Sequence, residues 1–200
     1  MIAGTYVLRS TADVDEDNEL VIQARSDRAA FVQLYRRHYD AIFRYCAHRL
    51  FDRAETEDVT SEVFLKMVEN FHRFKGTEAQ FRNWLYRIAT NAVNHHLRRI
   101  TRRNSLLKAA CGQAGNQADD SDESPERLAL LREAMLALKP RYQTIVTLRF
   151  FENMKLNEIA EILGSSSGTV RSQLARALDR LRKKLAAELT GKSEVGGNER

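Results

Sequence analysis

Two hundred residues, 43% apolar and 30% charged, describe a soluble chain long enough for one or two small domains. No signal peptide or apolar run of membrane length is legible, so membrane insertion is not expected. The two cysteines, Cys46 and Cys111, belong to no CxxC or Cys/His cluster, which argues against a disulfide framework or a zinc site and for a reduced, cytoplasmic setting. The net charge of +5 is unevenly divided: −4 over residues 1–24, +7 over 25–104, −3 over 105–125 and +5 over 126–200. Two basic blocks around an acidic spacer suggest two modules that each face nucleic acid.

Residues 1–25 read as an acidic arm ending in DVDEDNEL, with a short helix near Leu20–Ala24. Ser26 or Asp27 can cap the first long helix, whose inward stripe is Phe31, Leu34, Tyr35, His38, Ile42, Cys46 and Leu50. His38 on that stripe reads as a hydrogen-bonded core residue. A second helix begins near Glu55, with Glu55, Glu57 and Asp58 where the helix dipole favours acids. Val59, Val63, Phe64, Met67 and Phe71 face inward, and Asp58, Glu62, Lys66 and Glu69 form an outer ridge. That ridge is either a solvated face or a docking surface for a basic protein partner.

Phe74-Lys75-Gly76 then turns the chain, and Thr77-x-x-Gln80 has the capping-box pattern. The helix it opens, TEAQFRNWLYRIATNAVNHHLRRITRR, has an apolar band of Phe81, Trp84, Leu85, Ile88 and Ala92. A second stripe, Asn83, Arg87, Thr90, Asn94 and Arg98, contains no carboxylate, and Arg98, Arg99, Arg102 and Arg103 follow closely. Aromatic faces suit bases and cations suit phosphates, so this stretch fits single-stranded nucleic acid. Plain core packing and a solvated helix end compete with that reading. The adjacent His95 and His96 diverge on a helix and make a poor metal site.

Residues 105–124 read as a linker, spanning about 25 Å relaxed and about 70 Å extended. Ser124-Pro125-Glu126 starts a helix marked by Leu128, Leu131, Met135 and Leu138. Lys139-Pro140 ends it and begins another, carrying Tyr142, Ile145, Val146 and Leu148. Leu156, Ile159, Ala160 and Leu163 make a short helix that stops at Gly164. Ser165–Ser167 offer a cap for a last helix with Val170, Leu174, Ala177, Leu181 and Leu185 inside. This is the pattern of a DNA-binding helix-turn-helix, with Ser172, Ala175, Arg176 and Lys183 outward and Arg171 beside them. Residues 189–200 read as a disordered tail.

Three segments together resemble the extracytoplasmic-function (ECF) subfamily of bacterial sigma-70-type RNA polymerase sigma factors, over about residues 28–187. They are EDVTSEVF (Glu57–Phe64), FRNWLYRIATN (Phe81–Asn91) and EIAEILGSSSGTVRSQLARAL (Glu158–Leu178). The resemblance implies an all-α fold: a sigma-2-like domain over 26–104, a flexible acidic linker over 105–124 and a sigma-4-like helix-turn-helix domain over 125–188. It implies that Glu57, Asp58, Glu62, Leu65 and Lys66 bind core RNA polymerase. Lys75, Gly76, Gln80, Phe81, Asn83, Trp84, Tyr86, Arg87 and Asn91 would capture non-template bases of the −10 element of promoter DNA, with Arg98, Arg99, Arg102 and Arg103 on phosphates. Ser167, Thr169, Arg171, Ser172, Ala175 and Arg176 would read the −35 element. Lys155 stands where the family often has a capping Ser or Thr, Gln173 where Arg is common, and Ser61 replaces a frequent Gln. An anti-sigma factor is a further implied partner, though no residue identifies one.

Two other readings are open to the residues alone. An ordinary helix-turn-helix regulator would bind duplex DNA without polymerase. An enzyme would need a metal-binding carboxylate cluster, a glycine-rich phosphate loop or a nucleophile beside its base, and none is legible. No catalytic residue and no cofactor is therefore expected.

Overall fold

The computed structural model describes residues 19–110 and 125–195, and each described element is helical. A short helix, α1, covers 19–23. It is followed by α2 (Arg28–Leu50), α3 (Arg53–Phe71), α4 (Glu78–Ala110), α5 (Pro125–Leu136), α6 (Pro140–Val146), α7 (Leu156–Leu163) and α8 (Ser167–Val195). A π-helical turn, Thr147–Phe151, continues directly from α6.

Local chemistry sets the boundaries. Asp27 starts α2 by accepting from the Ala29 N–H at 2.8 Å. Asp52 does the same for α3, accepting from the Glu55 N–H at 2.8 Å, so that helix begins two residues before Glu55. Phe51 makes the intervening corner at a φ of 55°. At α4 the capping box forms: the Thr77 N–H donates to Gln80 Oε1 at 3.0 Å, and the Gln80 N–H donates to Thr77 Oγ1 at 3.4 Å. Gly164, with φ 58°, ends α7 in the left-handed region, where glycine carries no Cβ penalty. Ser166 Oγ then accepts from the Thr169 N–H at 3.1 Å and caps α8.

Helices α2, α3 and α4 pack around Leu34, Ile42, Cys46, Val63, Met67, Phe81 and Leu85, all essentially without solvent contact. His38 is buried there, with its Nε2 3.5 Å from Glu78 Oε1. Cys46 is buried as well, and burial raises its thiol pKa to about 11. Helix α8 closes a second cluster with Met135, Leu138, Val146, Ala177 and Leu181.

Four expectations change. Leu20, Val21 and Ala24 are buried in the main core, so 19–24 belong to the domain and not to an arm; residues 1–18 lie outside those described. Helix α4 continues to Ala110, because Leu106, Leu107, Ala109 and Ala110 are strong helix formers. The rest of the expected linker, with Cys111, lies outside the described residues. Helix α8 likewise reaches Val195, carried past 188 by Ala186, Ala187, Glu188 and Leu189; only 196–200 of the expected tail remain, outside the described residues. Leu131 is 36% exposed and not a core residue.

The two helical units also touch. Ile145, Leu148, Met154, Ile159, Ala160, Ile162 and Val170 belong to the same buried cluster as the α2–α4 core. Modules expected to act apart are packed together.

Candidate nucleic-acid interface

Helix α4 presents three faces. Phe81, Leu85, Ala89, Ala92 and Val93 point into the core. The second face is half open: Trp84 is partly buried, 5.2 Å from the Phe74 ring and 5.6 Å from that of Phe81. It borders an open cleft of about 620 Å³ lined by Lys66, Glu69, Asn70, Arg73, Phe74, Lys75, Trp84, Ile88 and Asn91. One aromatic wall, amides and three cations give this cleft the means to hold a flat, polar-edged base near a phosphate. Gly76 shapes its rim, since a Cβ there would stand 2.6 Å from Gln80 Oε1 and 2.9 Å from the Phe74 ring.

The third face is covered by the helix-turn-helix unit. Asn83, 8% exposed, donates from Nδ2 to Glu161 Oε2 at 2.7 Å. Arg87 donates to the backbone carbonyl of Glu161, and Arg82 pairs with Glu158. The Tyr86 hydroxyl donates to Glu152 Oε2 at 2.6 Å. Phe151 lies against His48, their ring centroids 4.3 Å apart.

These contacts correct part of the expected −10 set. Phe81 is wholly buried and carries no face for a base; it supports Trp84 from behind. Asn83 and Tyr86 are buried against the second unit, and Thr90 accepts or donates toward the Tyr45 hydroxyl at 2.8 Å inside the core. Lys75, Gln80, Arg87, Asn91, Arg98, Arg99, Arg102 and Arg103 are exposed. His95 is exposed whereas His96 is buried, with its Nε2 against Glu55 Oε2. Among the described residues no group of His, Cys, Asp and Glu could hold a metal.

On the second unit, Thr169, Arg171, Ser172, Ala175 and Arg176 are exposed along the first turns of α8, and Ser167 is partly so. Gln173, beside Thr169 and Arg176 on the helix, is partly buried, and its Oε1 accepts from Arg141 Nε at 2.8 Å. Lys155 lends α7 no side-chain cap, but Glu158 Oε2 accepts from its N–H at 2.7 Å and secures the start. On α3, Glu57 and Asp58 are exposed, Glu62 pairs with Lys66, and Leu65 and Val68 are 59% and 53% exposed.

Residues 34–103 match the family Sigma-70 region 2, and residues 128–181 match Sigma-70, region 4. The RNA polymerase sigma-H factor of Pseudomonas aeruginosa is 33% identical over 86% of this chain and 94% of its own length. The ECF RNA polymerase sigma factor BldN of Streptomyces coelicolor is 32% identical over 85% of this chain and 67% of that protein. This chain is an ECF sigma factor of the sigma-70 type. The sigma factor's fold is also that of RpoE, solved with the anti-sigma factor NepR from Bartonella quintana, at a TM-score of 0.63 and 18% identity over 78% of this chain and 96% of that one. CnrH, solved with the cytosolic domain of CnrY, gives 0.62 at 24% identity over 88% and 97%.

Residues of this sigma factor that sequence patterns did not single out are Arg82, Glu152, Glu158 and Glu161. The only signal available was three acids on one short segment of an otherwise basic domain. Burial raises the Glu152 carboxyl pKa, against the hydrogen bond from Tyr86 and the guanidiniums of Arg44 and Arg82 that lower it. A raised folded-state pKa favours folding at low pH and is lost as pH climbs through it. Glu152→Gln keeps an acceptor for Tyr86 and removes the buried charge. The variant should therefore melt above wild type at pH 7.5, and the difference should shrink toward pH 4. Thermal unfolding of both proteins across that range measures it; an equal or lower Tm at pH 7.5 would refute the sign.

Proposed function

We propose that this sigma factor joins core RNA polymerase, brings it to promoters through −35 and −10 elements, and assists strand opening while making and breaking no bond itself. The pairing of a region 2 match with a region 4 match, in that order on one chain, carries this reading. The acidic ridge around Asp58 and Glu62, with Glu57, Leu65 and Lys66, would meet core polymerase. The cleft beside Trp84 would take a base pulled from the duplex. Unstacking one base costs a few kcal/mol, and an aromatic platform returns about 1–3 kcal/mol per base, so captured bases offset the opening. Arg98, Arg99, Arg102 and Arg103 would follow the phosphates. Arg171, Ser172 and Arg176 would enter the major groove, where an arginine grips guanine in bidentate fashion.

Domain limits near 19 and 110 for the first unit, and 125 onward for the second, fit this division of labour. The low-identity structural relatives were captured with NepR and with CnrY, and an anti-sigma partner fits the same reading here. Among the described residues, no helix is long and apolar enough to cross a membrane.

Run-off transcription with purified core polymerase on genomic DNA tests the reading, and absence of added start sites would refute it. Two substitutions divide the steps. Trp84→Ala should slow open-complex formation by about 5–150-fold, the equivalent of one stack of about 1–3 kcal/mol, with initial duplex binding kept. Arg176→Ala should weaken −35 binding by about 1–3 kcal/mol while a pre-opened template still works. Failure of both at the same step would show that the two domains do not divide recognition this way.

A further inference from the structure

We propose that Arg141 is a positioning residue for Gln173, turning its amide so that α8 reads guanine in preference to adenine between Thr169 and Arg176. This rests on the −35 reading above. Arg141 is exposed in the first turn of α6 and reaches two points of the helix-turn-helix at once. Its Nε donates to Gln173 Oε1 at 2.8 Å, and its Nη2 donates to Ser165 Oγ at 3.2 Å. One planar guanidinium is thus held both by the turn before α8 and by α8 itself.

An arginine side chain carries donors and no acceptor. The Gln173 amide must therefore turn its carbonyl toward Arg141 and its NH2 away. Gln173 comes four residues after Thr169 and three before Arg176, both exposed, and so shares their side of α8. An unengaged glutamine grips adenine with both ends, Nε2 donating to N7 and Oε1 accepting from N6. Here one lone pair of Oε1 is taken by a charged donor, a bond about twice as strong as a neutral one. Linked hydrogen bonds polarise one another. A carbonyl that accepts from a guanidinium leaves its NH2 a better donor and its second lone pair a poorer acceptor. Guanine, which offers two acceptors at N7 and O6, gains from that change. Adenine, which must donate from N6, loses.

The test uses holoenzyme assembled from core polymerase and the full chain, selecting from a duplex DNA pool randomised across the upstream element. The bound fraction is sequenced for wild type, Gln173→Ala, Arg141→Met and Arg141→Lys. Arg141 is exposed, so its replacement leaves both cores intact. Gln173→Ala marks the base pair in question, as the position where preference flattens. At that pair wild type is expected to favour guanine over adenine by about 5-fold or more, the low end for one base contact. Arg141→Met frees the carbonyl and should reverse the order, favouring adenine by about 5-fold. Arg141→Lys should keep guanine, because an ammonium also has only donors to give. An Arg141 that merely braced the turn or held a phosphate would lower retention of all sequences alike and leave the base ratio unmoved. That result overturns the proposal, as does a wild-type preference for adenine at that pair or a Gln173→Ala protein with unchanged preferences. If wild-type holoenzyme enriches no upstream element, the −35 reading falls and takes this inference with it. An enriched element whose base ratio ignores Arg141→Met removes this inference alone.

Discussion

Replacing Phe81 with alanine should destabilise the protein by about 3–5 kcal/mol, lowering Tm by about 6–20 °C for a chain of this size. Its ring is wholly buried and meets His38 at 5.1 Å, Phe74 at 5.5 Å, Trp84 at 5.6 Å and Phe71 at 5.8 Å between centroids. Truncation would empty the point where α2, α3 and α4 meet and remove the backing of Trp84. Phe81→Leu distinguishes packing from base contact. Leucine refills most of the volume, so strand opening should survive at a temperature where the variant is folded. A folded Phe81→Leu protein that binds duplex normally but cannot open it would return Phe81 to the base-contacting set. Thermal melts and permanganate reactivity of promoter thymines measure the two effects.

Arg49→Ala should cost about 2–4 kcal/mol. Arg49 is 1% exposed, and its guanidinium donates to the Tyr45 hydroxyl at 3.2 Å, to Thr144 Oγ1 at 2.5 Å and to Asn94 Oδ1 at 3.0 Å. Tyr45 and Thr144 keep other partners, Thr90 and the Pro140 carbonyl, so the loss falls mainly on Asn94 and on the emptied volume. Because Thr144 belongs to α6, the same change cuts a tie between the two domains. Arg49→Lys should recover little, since a single ammonium cannot span three acceptors set in different directions. Chemical denaturation read by circular dichroism gives the comparison. A midpoint within error of wild type for Arg49→Ala would show that the buried guanidinium contributes nothing net.

Much of the helical plan could be read in advance because it is written locally. Asp27, the Thr77–Gln80 box, Pro140 and Gly164 each act within a few residues of themselves, and the apolar stripes of α2 and α3 fall where the spacing puts them. The first turns of α8 are open, as the exposed positions of its pattern require. The stripe Asn83–Arg87–Thr90–Asn94 was harder. Periodicity says which residues share a face, but not whether water, another helix or another domain lies against it. Averaged charge misled in the same way: a net of +5 over 126–200 hides Glu152, Glu158 and Glu161, whose position opposite Arg82 and Arg87 depends on tertiary packing. The buried Arg49 was invisible for a related reason, since an arginine near a helix end has a more ordinary surface explanation.

Helix α8 runs unbroken for 29 residues, about 43 Å at the usual rise. Arg171 and Arg176 sit at one extremity and Val195 at the other, with no joint between them. A fusion or partner that clamps the far extremity therefore steers the end that carries Arg171 and Arg176 as a handle steers a blade, and a tag placed there is not mechanically silent.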